Sequence, residues 1–140
     1  MAKPKNKTKH KTLRALRNDV AGEVQKMVRL KAADENGYCT CVTCGNVCHW
    51  KKCDGGHFIK RGFQIHMLTE ENIHVQCKGC NGFQDGNLVA YTLFMQEMYG
   101  MEFVEELERT KHDKCTLIRP DLEDMLIDLR ARNRVLEAAV

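Results

Sequence analysis

Apolar residues recur every three or four positions at the start of the chain and predict an amphipathic helix there. The apolar face consists of Leu13, Leu16, Val20, Val24, Met27 and Val28. Thr12 suits the N-cap position, and Asn36-Gly37 forms a turn after the helix, so we predict a helix over residues 12–34. The opposite face is basic and carries Arg14, Arg17, Lys26, Arg29 and Lys31.

The same periodicity returns in the second half of the chain and predicts three further helices, over residues 87–99, 101–109 and 120–137. Gly100 is a natural residue for the end of the first of these helices. Pro120 suits the first turn of the last one.

The middle of the chain has no long helical period. Residues 38–82 hold seven of the eight cysteines, four of the six histidines and six of the ten glycines. We predict short strands and turns there, with strands at residues 57–60 and 73–76. The expected fold class is α+β, with a small cysteine-rich module flanked by N- and C-terminal α-helices.

Length and charge define the expected domain organisation. The chain has 140 residues and a net charge of +3, which suits a single domain over residues 12–140. Ten Lys/Arg and two Asp/Glu lie in residues 1–31, so the positive charge is concentrated at the N-terminus. We expect residues 1–11 to be a basic flexible tail that attracts DNA phosphates, or alternatively a solubilising terminus.

No apolar run approaches the roughly 18 residues that a membrane span needs, and the first residues lack a signal peptide. We therefore expect no membrane partner and a location in the cytoplasm. Cysteines in such a chain are more often metal ligands than disulfides.

Two Cys-x2-Cys pairs predict a structural zinc site formed by Cys41, Cys44, Cys77 and Cys80. Each pair can form a tight turn whose two thiolates converge on one ion, and two such turns complete a tetrahedron. Disulfides or unconnected buried thiols are the alternatives.

Four cysteines are left over, namely Cys39, Cys48, Cys53 and Cys115. Cys39 is close enough to Cys41 to act as an alternate ligand. Cys48 and Cys53, with His49, can be read as a second ion site or as ordinary packing and loop residues.

The order of residues around the zinc pairs is that of an HNH, or ββα-metal, nuclease within a treble-clef zinc module. His57 lies on the expected first strand, Asn72 and His74 lie near the second, and Asn81 directly follows Cys80. Phosphodiester hydrolysis needs a general base and a hard divalent cation, and imidazole and amide oxygens suit these roles. Treble clefs also serve as binding modules, so the fold alone does not decide the function.

The chain resembles the lambdoid phage NinG recombination nuclease family over roughly residues 13–140. The shared stretches are Asp54-Gly-Gly-His57-Phe with Lys60-Arg61-Gly62, then Glu71-Asn72-Ile-His74-Val-Gln-Cys77, Cys80-Asn81 and Gly86-Asn87-Leu-Val-Ala-Tyr91. The resemblance implies a metal-dependent endonuclease that cuts branched DNA, such as Holliday junctions and D-loops, during phage recombination.

Carried onto this sequence, the resemblance implies that His57 is the general base and that Asn81 binds Mg²⁺ or Mn²⁺. Many HNH enzymes have Asp or His immediately before the base, where this chain has Gly56. Asp54, His66 or His74 must then supply the second ligand, or His57 itself binds the metal.

Several of these residues also have ordinary structural interpretations. Asn72 is expected to orient His57 or a neighbouring loop. The histidines can instead satisfy backbone carbonyls, and Asn81 can cap a helix.

Lys60, Arg61, Arg14 and Arg17 are the candidate DNA-binding residues. Branched DNA is the expected partner, and the two-fold character of a junction, with the amphipathic first and last helices, predicts a homodimer. A zinc-stabilised DNA-binding module without catalytic activity is the main alternative, and a disulfide-linked structural protein is the other.

Overall fold

A computed structural model describes residues 11–140, so all but the last residue of the expected basic tail lies outside the described residues. Over this described range the fold has four α-helices and four short strands: α1 (Leu13–Ala32), β1 (Tyr38–Thr40), β2 (Val47–His49), β3 (Asp54–His57), β4 (Ile73–Gln76), α2 (Leu88–Tyr99), α3 (Met101–Thr110) and α4 (Arg119–Ala138). Two 3₁₀ turns (Gln64–His66 and Glu70–Asn72) precede β4, and a π turn (Gly79–Phe83) follows it. The four predicted helices are confirmed to within two residues at each end.

The first and last helices pack against each other and form the main core. Their buried faces contribute Leu16, Val20, Val24, Leu122, Leu126 and Leu129, together with Trp50, Ile73 and Val75 from the middle of the chain. Asn133 on α4 is 2% exposed, and its Nδ2 donates to the backbone oxygen of Glu23 at 2.9 Å. These apolar faces are the ones from which a homodimer is expected, and they cover each other within one chain. The apolar faces of α1 and α4 therefore do not support the homodimer, which stays a prediction.

The strands form two separate antiparallel pairs. In the first pair, β1 lies beside β2 with Cys39 opposite Cys48. In the second pair, Asp54 of β3 lies opposite Gln76 of β4, and His57 lies opposite Ile73. These small sheets and the surrounding helices confirm the α+β class.

The strand at 73–76 is confirmed, whereas the strand predicted at 57–60 is wrong, because β3 ends at His57. Beyond that point the Asn72 side chain takes the place of a paired strand. Its Oδ1 accepts from the Ile59 N–H at 2.8 Å, and its Nδ2 donates to the Ile59 oxygen at 3.0 Å. The sequence pattern also does not indicate β3, because apolar and polar residues do not alternate in Asp54-Gly55-Gly56.

Two glycines let other parts of the molecule approach β3 closely. A Cβ at Gly55 would lie 2.9 Å from Cα of Gln25 on α1, and a Cβ at Gly56 would lie 2.0 Å from Oε1 of Gln76. A side chain at Gly55 would therefore push α1 away from the strand, and one at Gly56 would displace the Gln76 side chain.

A second, smaller core joins α2 and α3 to the segment that follows β3. It contains Phe58, Ile59, Tyr91, Met95, Val104 and Leu107. This core fixes the segment between the two cysteine pairs against the C-terminal half of the chain. Within residues 11–140, none of the helices has the length and apolar character needed to cross a membrane.

Candidate metal centre and adjoining polar site

The two Cys-x2-Cys pairs meet in space. The sulfur atoms of Cys41, Cys44, Cys77 and Cys80 all lie within 4.8 Å of one another. The Cys44 and Cys77 sulfurs are 3.6 Å apart, close to the edge of about 3.8 Å of a tetrahedron with 2.3 Å zinc–sulfur bonds. The cluster can therefore hold one metal ion such as zinc.

Polar groups around the cluster are placed to stabilise thiolates. The Cys80 N–H points to the Cys77 sulfur at 3.4 Å, and Nδ2 of Asn87 points to the Cys80 sulfur at 3.6 Å. Burial raises the pKa of Cys41, but hydrogen bonds from the Thr43 hydroxyl and from backbone N–H groups outweigh it and lower the pKa to about 6. Such N–H and O–H contacts are typical of the outer shell of a metal site.

The remaining cysteines of the middle segment face elsewhere. The thiol of Cys39 donates to the Arg29 oxygen on α1 at 3.2 Å, so it is directed away from the alternate-ligand position. Burial raises the pKa of both Cys48 and Cys53 to about 11, which keeps these thiols protonated. Among the described residues, Cys41, Cys44, Cys77 and Cys80 are the group whose ligand atoms lie close enough together to hold one ion. Cys48, Cys53 and His49, considered for a second ion, do not form such a group.

Asp54 and Asn81, both candidate ligands of the catalytic metal, lie side by side next to this cluster. Nδ2 of Asn81 donates to a carboxylate oxygen of Asp54 at 3.1 Å, and Nζ of Lys78 pairs with the other at 3.0 Å. Both residues line an open groove of about 330 Å³ between β3 and α1, with Gln25 and Arg29 on the helix side. Asp54 is thus the candidate second ligand that adjoins Asn81.

His57 lies at the other end of β3 and has a different set of neighbours. Its Nε2 is 2.8 Å from the Met67 oxygen, and because a carbonyl only accepts, this nitrogen carries the proton. Burial lowers the pKa of His57 more than the Met67 hydrogen bond raises it, and the nearby Arg61 adds to the lowering, so the neutral ring with Nδ1 unprotonated predominates at pH 7. Within residues 11–140, hydrogen bonds do not connect His57 with Asp54 or Asn81.

His74 is held between two tyrosine hydroxyls in an aromatic pocket. Tyr91 donates to the Gly56 oxygen at 2.7 Å, so its own oxygen accepts from Nδ1–H of His74 at 3.2 Å. Nε2 of His74 then accepts from the Tyr99 hydroxyl at 2.8 Å. Burial lowers the pKa of His74 to about 4. Both ring nitrogens of His74 are engaged within the protein, and its catalytic role stays a prediction.

Asn72 and His66 also make contacts within the protein. Asn72 is fully buried and holds the loop after β3, as the neighbouring-loop interpretation expects, with a further bond from Nδ2 to the His66 oxygen at 3.1 Å. His66 is 8% exposed, and its Nε2 lies 3.1 Å from the Leu107 oxygen and 2.9 Å from the Thr110 hydroxyl. Neither side chain adjoins Asp54 and Asn81.

The candidate DNA-binding residues converge in part. Arg14 and Arg17 of α1 and Arg61 of the loop after β3 line one groove of about 540 Å³, which Met67 also borders. Nη2 of Arg61 donates to Oδ1 of Asn18 at 3.2 Å, which fixes the arginine against α1. We call the three arginines and their groove the arginine groove. Lys60 lies outside it and forms an exposed ion pair with Asp85 at 3.1 Å.

Comparison with known proteins identifies the family. A family described as "Bacteriophage Lambda NinG protein" matches residues 1–138. The chain belongs to the NinG family. Proteins named "Protein ninG" from Salmonella phage P22 and from Escherichia phage lambda are each 32% identical to this NinG-family chain over 99 residues.

In both cases the match covers 64% of the chain and 47% of the relative, so the chain spans about half the length of the curated relatives it matches. No solved structure matches the chain.

Two residues of the polar site are missed by the sequence reasoning. Gln76 and Tyr91 contact Gly56 from β4 and α2, but neither has a sequence spacing that suggests chemistry. Knowing the β3–β4 register is what brings Gln76 to the site, since it lies opposite Asp54.

Proposed function

We propose that this NinG-family chain is a metal-dependent DNA endonuclease that hydrolyses phosphodiester bonds in branched DNA, such as Holliday junctions and D-loops. The observation that carries the proposal is the Asp54–Asn81 pair, which lies beside the four-cysteine cluster in a groove along α1. The resemblance to phage recombination nucleases supplies the substrate class.

A divalent cation such as Mg²⁺ or Mn²⁺ suits the donor set of this pair. Asp54 offers carboxylate oxygens, and Asn81 offers an amide oxygen once its Nδ2 is directed to Asp54. When bound, such a cation neutralises charge on the phosphate and on the leaving oxygen. The four-cysteine cluster would hold zinc and keep the π turn that carries Asn81 next to β3.

His57 is the proposed general base. Its neutral ring leaves Nδ1 able to accept a proton from water, and the Met67 carbonyl fixes the ring through Nε2.

The arginine groove is the proposed contact for the DNA backbone. Arg14 is exposed and Arg17 is half-buried at this groove, and guanidinium groups bind phosphate oxygens through paired N–H donors. Arg17 and Gln25 are about 12 Å apart along α1, which corresponds to the rise of three to four base pairs. One DNA strand lying along α1 would thus reach both the arginine groove and the Asp54–Asn81 groove.

Cleavage of a four-way junction with and without Mg²⁺ tests the proposal. The purified chain should cut the junction only with the ion, and His57→Ala or Asn81→Ala should reduce cleavage at least a hundredfold. His112→Ala, an exposed histidine bordering another groove, is the matched control and should cleave normally. Undiminished cleavage by His57→Ala would contradict the role of this residue, and no cleavage by the parent would contradict the function.

A zinc-stabilised DNA-binding module without catalysis is the second candidate. The engagement of both ring nitrogens of His74 and the glycine before His57 favour it. Junction binding should then be independent of Mg²⁺ and without nicking. Replacing Arg14 and Arg17 by Ala should lower the slope of log affinity against log salt by up to about 2 under either function.

A further inference from the structure

We infer that Gln76 supplies an amide oxygen to the divalent cation proposed at Asp54 and Asn81. This oxygen lies at the place that a side chain at residue 56 would occupy. The inference rests on the proposed function, because the cation belongs to that site. It adds a ligand from β4 to Asp54 and Asn81.

The orientation of the Gln76 amide is fixed by its nitrogen. Nε2 donates to the Gly86 oxygen at 2.8 Å and to the Thr43 hydroxyl at 3.2 Å. Because the Gly86 carbonyl can only accept, the nitrogen must face it and Oε1 must face the other way. Gln76 is fully buried, and Oε1 has no hydrogen-bond partner within residues 11–140.

This unpaired oxygen points towards Asn81. A Cβ built on Gly56 would lie 2.0 Å from Oε1 of Gln76 and 3.1 Å from Oδ1 of Asn81, so both oxygens border the same point. The Asn81 oxygen is the end of its amide that is not directed to Asp54. Both amide oxygens therefore border this point, and the Asp54 carboxylate adjoins the nitrogen end of the Asn81 amide.

A hard cation satisfies such a set of oxygens. Buried acceptors without partners are rare in folded proteins because desolvation is not compensated, and carboxylate and amide oxygens are ordinary ligands of Mg²⁺ and Mn²⁺. The same geometry accounts for Gly56. A side chain there would displace Gln76, so the chain can carry a residue-56 side chain or the Gln76 oxygen at this place, but not both.

Mn²⁺ binding to the zinc-saturated chain tests the inference, with the free ion followed by electron paramagnetic resonance. Gln76→Leu removes the oxygen and should weaken Mn²⁺ binding at least tenfold. Asn133→Leu is the matched control, since Asn133 is also a buried amide whose oxygen is unpaired, but it lies between α1 and α4. This variant should bind Mn²⁺ within twofold of the parent. Zinc content is measured on every sample.

A second variant keeps the test valid if Gln76→Leu loses zinc or folds poorly. Gln76→Glu retains an oxygen at the same place and should bind Mn²⁺ at least as tightly as the parent. Weaker binding by Gln76→Glu, with zinc retained, would overturn the inference.

The remaining outcomes separate this inference from the proposed function. Unchanged binding by zinc-loaded Gln76→Leu, alongside weakened binding by Asn81→Ala, overturns the role of Gln76 and leaves the cation site standing. Absence of Mn²⁺ binding by the parent overturns the role of Gln76 as well. Gln76-dependent binding without junction cleavage by the parent supports the ligand and contradicts the endonuclease.

Discussion

Replacing Tyr91 by Phe should destabilise the protein more than its loss of one oxygen atom suggests. The Tyr91 hydroxyl is buried between α2 and β3, where it donates to the Gly56 oxygen and accepts from Nδ1–H of His74. Phenylalanine fills the same space but can do neither. The substitution therefore removes the central member of the chain of bonds that runs from Tyr99 through His74 to β3.

The size of the effect follows from the groups left behind. Loss of the hydrogen bond to the Gly56 carbonyl costs about 1 kcal/mol, and leaving Nδ1–H of His74 without an acceptor adds about 1–3 kcal/mol. We expect Tyr91→Phe to lower the free energy of unfolding by about 2–4 kcal/mol. Tyr99→Phe removes a single bond to Nε2 of His74 at a more exposed position, so its cost should be about 0.5–1.5 kcal/mol.

Urea unfolding of the zinc-saturated chain provides the measurement. The single tryptophan, Trp50, is 6% exposed in the main core, and its fluorescence should report global unfolding. The double variant separates the two bonds, because Tyr99→Phe should cost less once Tyr91 no longer orders His74. A Tyr91→Phe cost no larger than that of Tyr99→Phe would refute the proposed order of donors and acceptors.

Three further predictions use the same unfolding assay. Gly56→Ala should lower the free energy of unfolding by about 1–3 kcal/mol because the added Cβ meets the Gln76 side chain. Gly62→Ala is the control, since Gly62 has open space around it, and should change stability by less than about 0.5 kcal/mol. Equal costs of the two substitutions would contradict the contact with Gln76. The depressed pKa of His74, about 4, means that the unfolded chain binds more protons between pH 4 and 6.5. Stability should thus fall by about 1–2 kcal/mol from pH 7 to pH 5 through this residue, and the loss should shrink by that amount in His74→Gln; an equal loss in both proteins would contradict it. The purified chain should release about one zinc ion when a chelator is added. Cys41→Ser should bind less than a tenth of that amount and unfold at a lower urea concentration. Retention of zinc by this variant would exclude Cys41 as a ligand.

The helices and the cysteine cluster could be predicted because their determinants are local. The apolar period places α1 and α4, and two Cys-x2-Cys spacings suffice to bring four sulfurs together. The position of β3 could not be predicted, since its partners, Gln25 and Gln76, come from distant parts of the chain. For the same reason the pattern missed how His74 is engaged, because its two tyrosine partners are 17 and 25 residues away.

The placement of the candidate site residues also depends on contacts between distant parts of the chain. Asp54 and Asn81 meet because the four-cysteine cluster holds the turn after β4 beside β3. His57 is separated from them by Gly55 and Gly56, and its ring is directed to the Met67 carbonyl. Sequence order could not distinguish these two environments, since it fixes neither a strand end nor the contacts of the following loop.

The packing of α1 on α4 has a consequence for how the protein folds. Asn133 and its partner Glu23 are 110 residues apart in sequence, so the main core joins segments from near both ends of the described chain. During synthesis α1 emerges long before α4, and its apolar face has no helical partner until α4 leaves the ribosome. The cysteine module between them can close earlier if metal is available, which would shorten the loop that α4 must close. Zinc supply would then set the rate of folding as well as the stability of the folded chain.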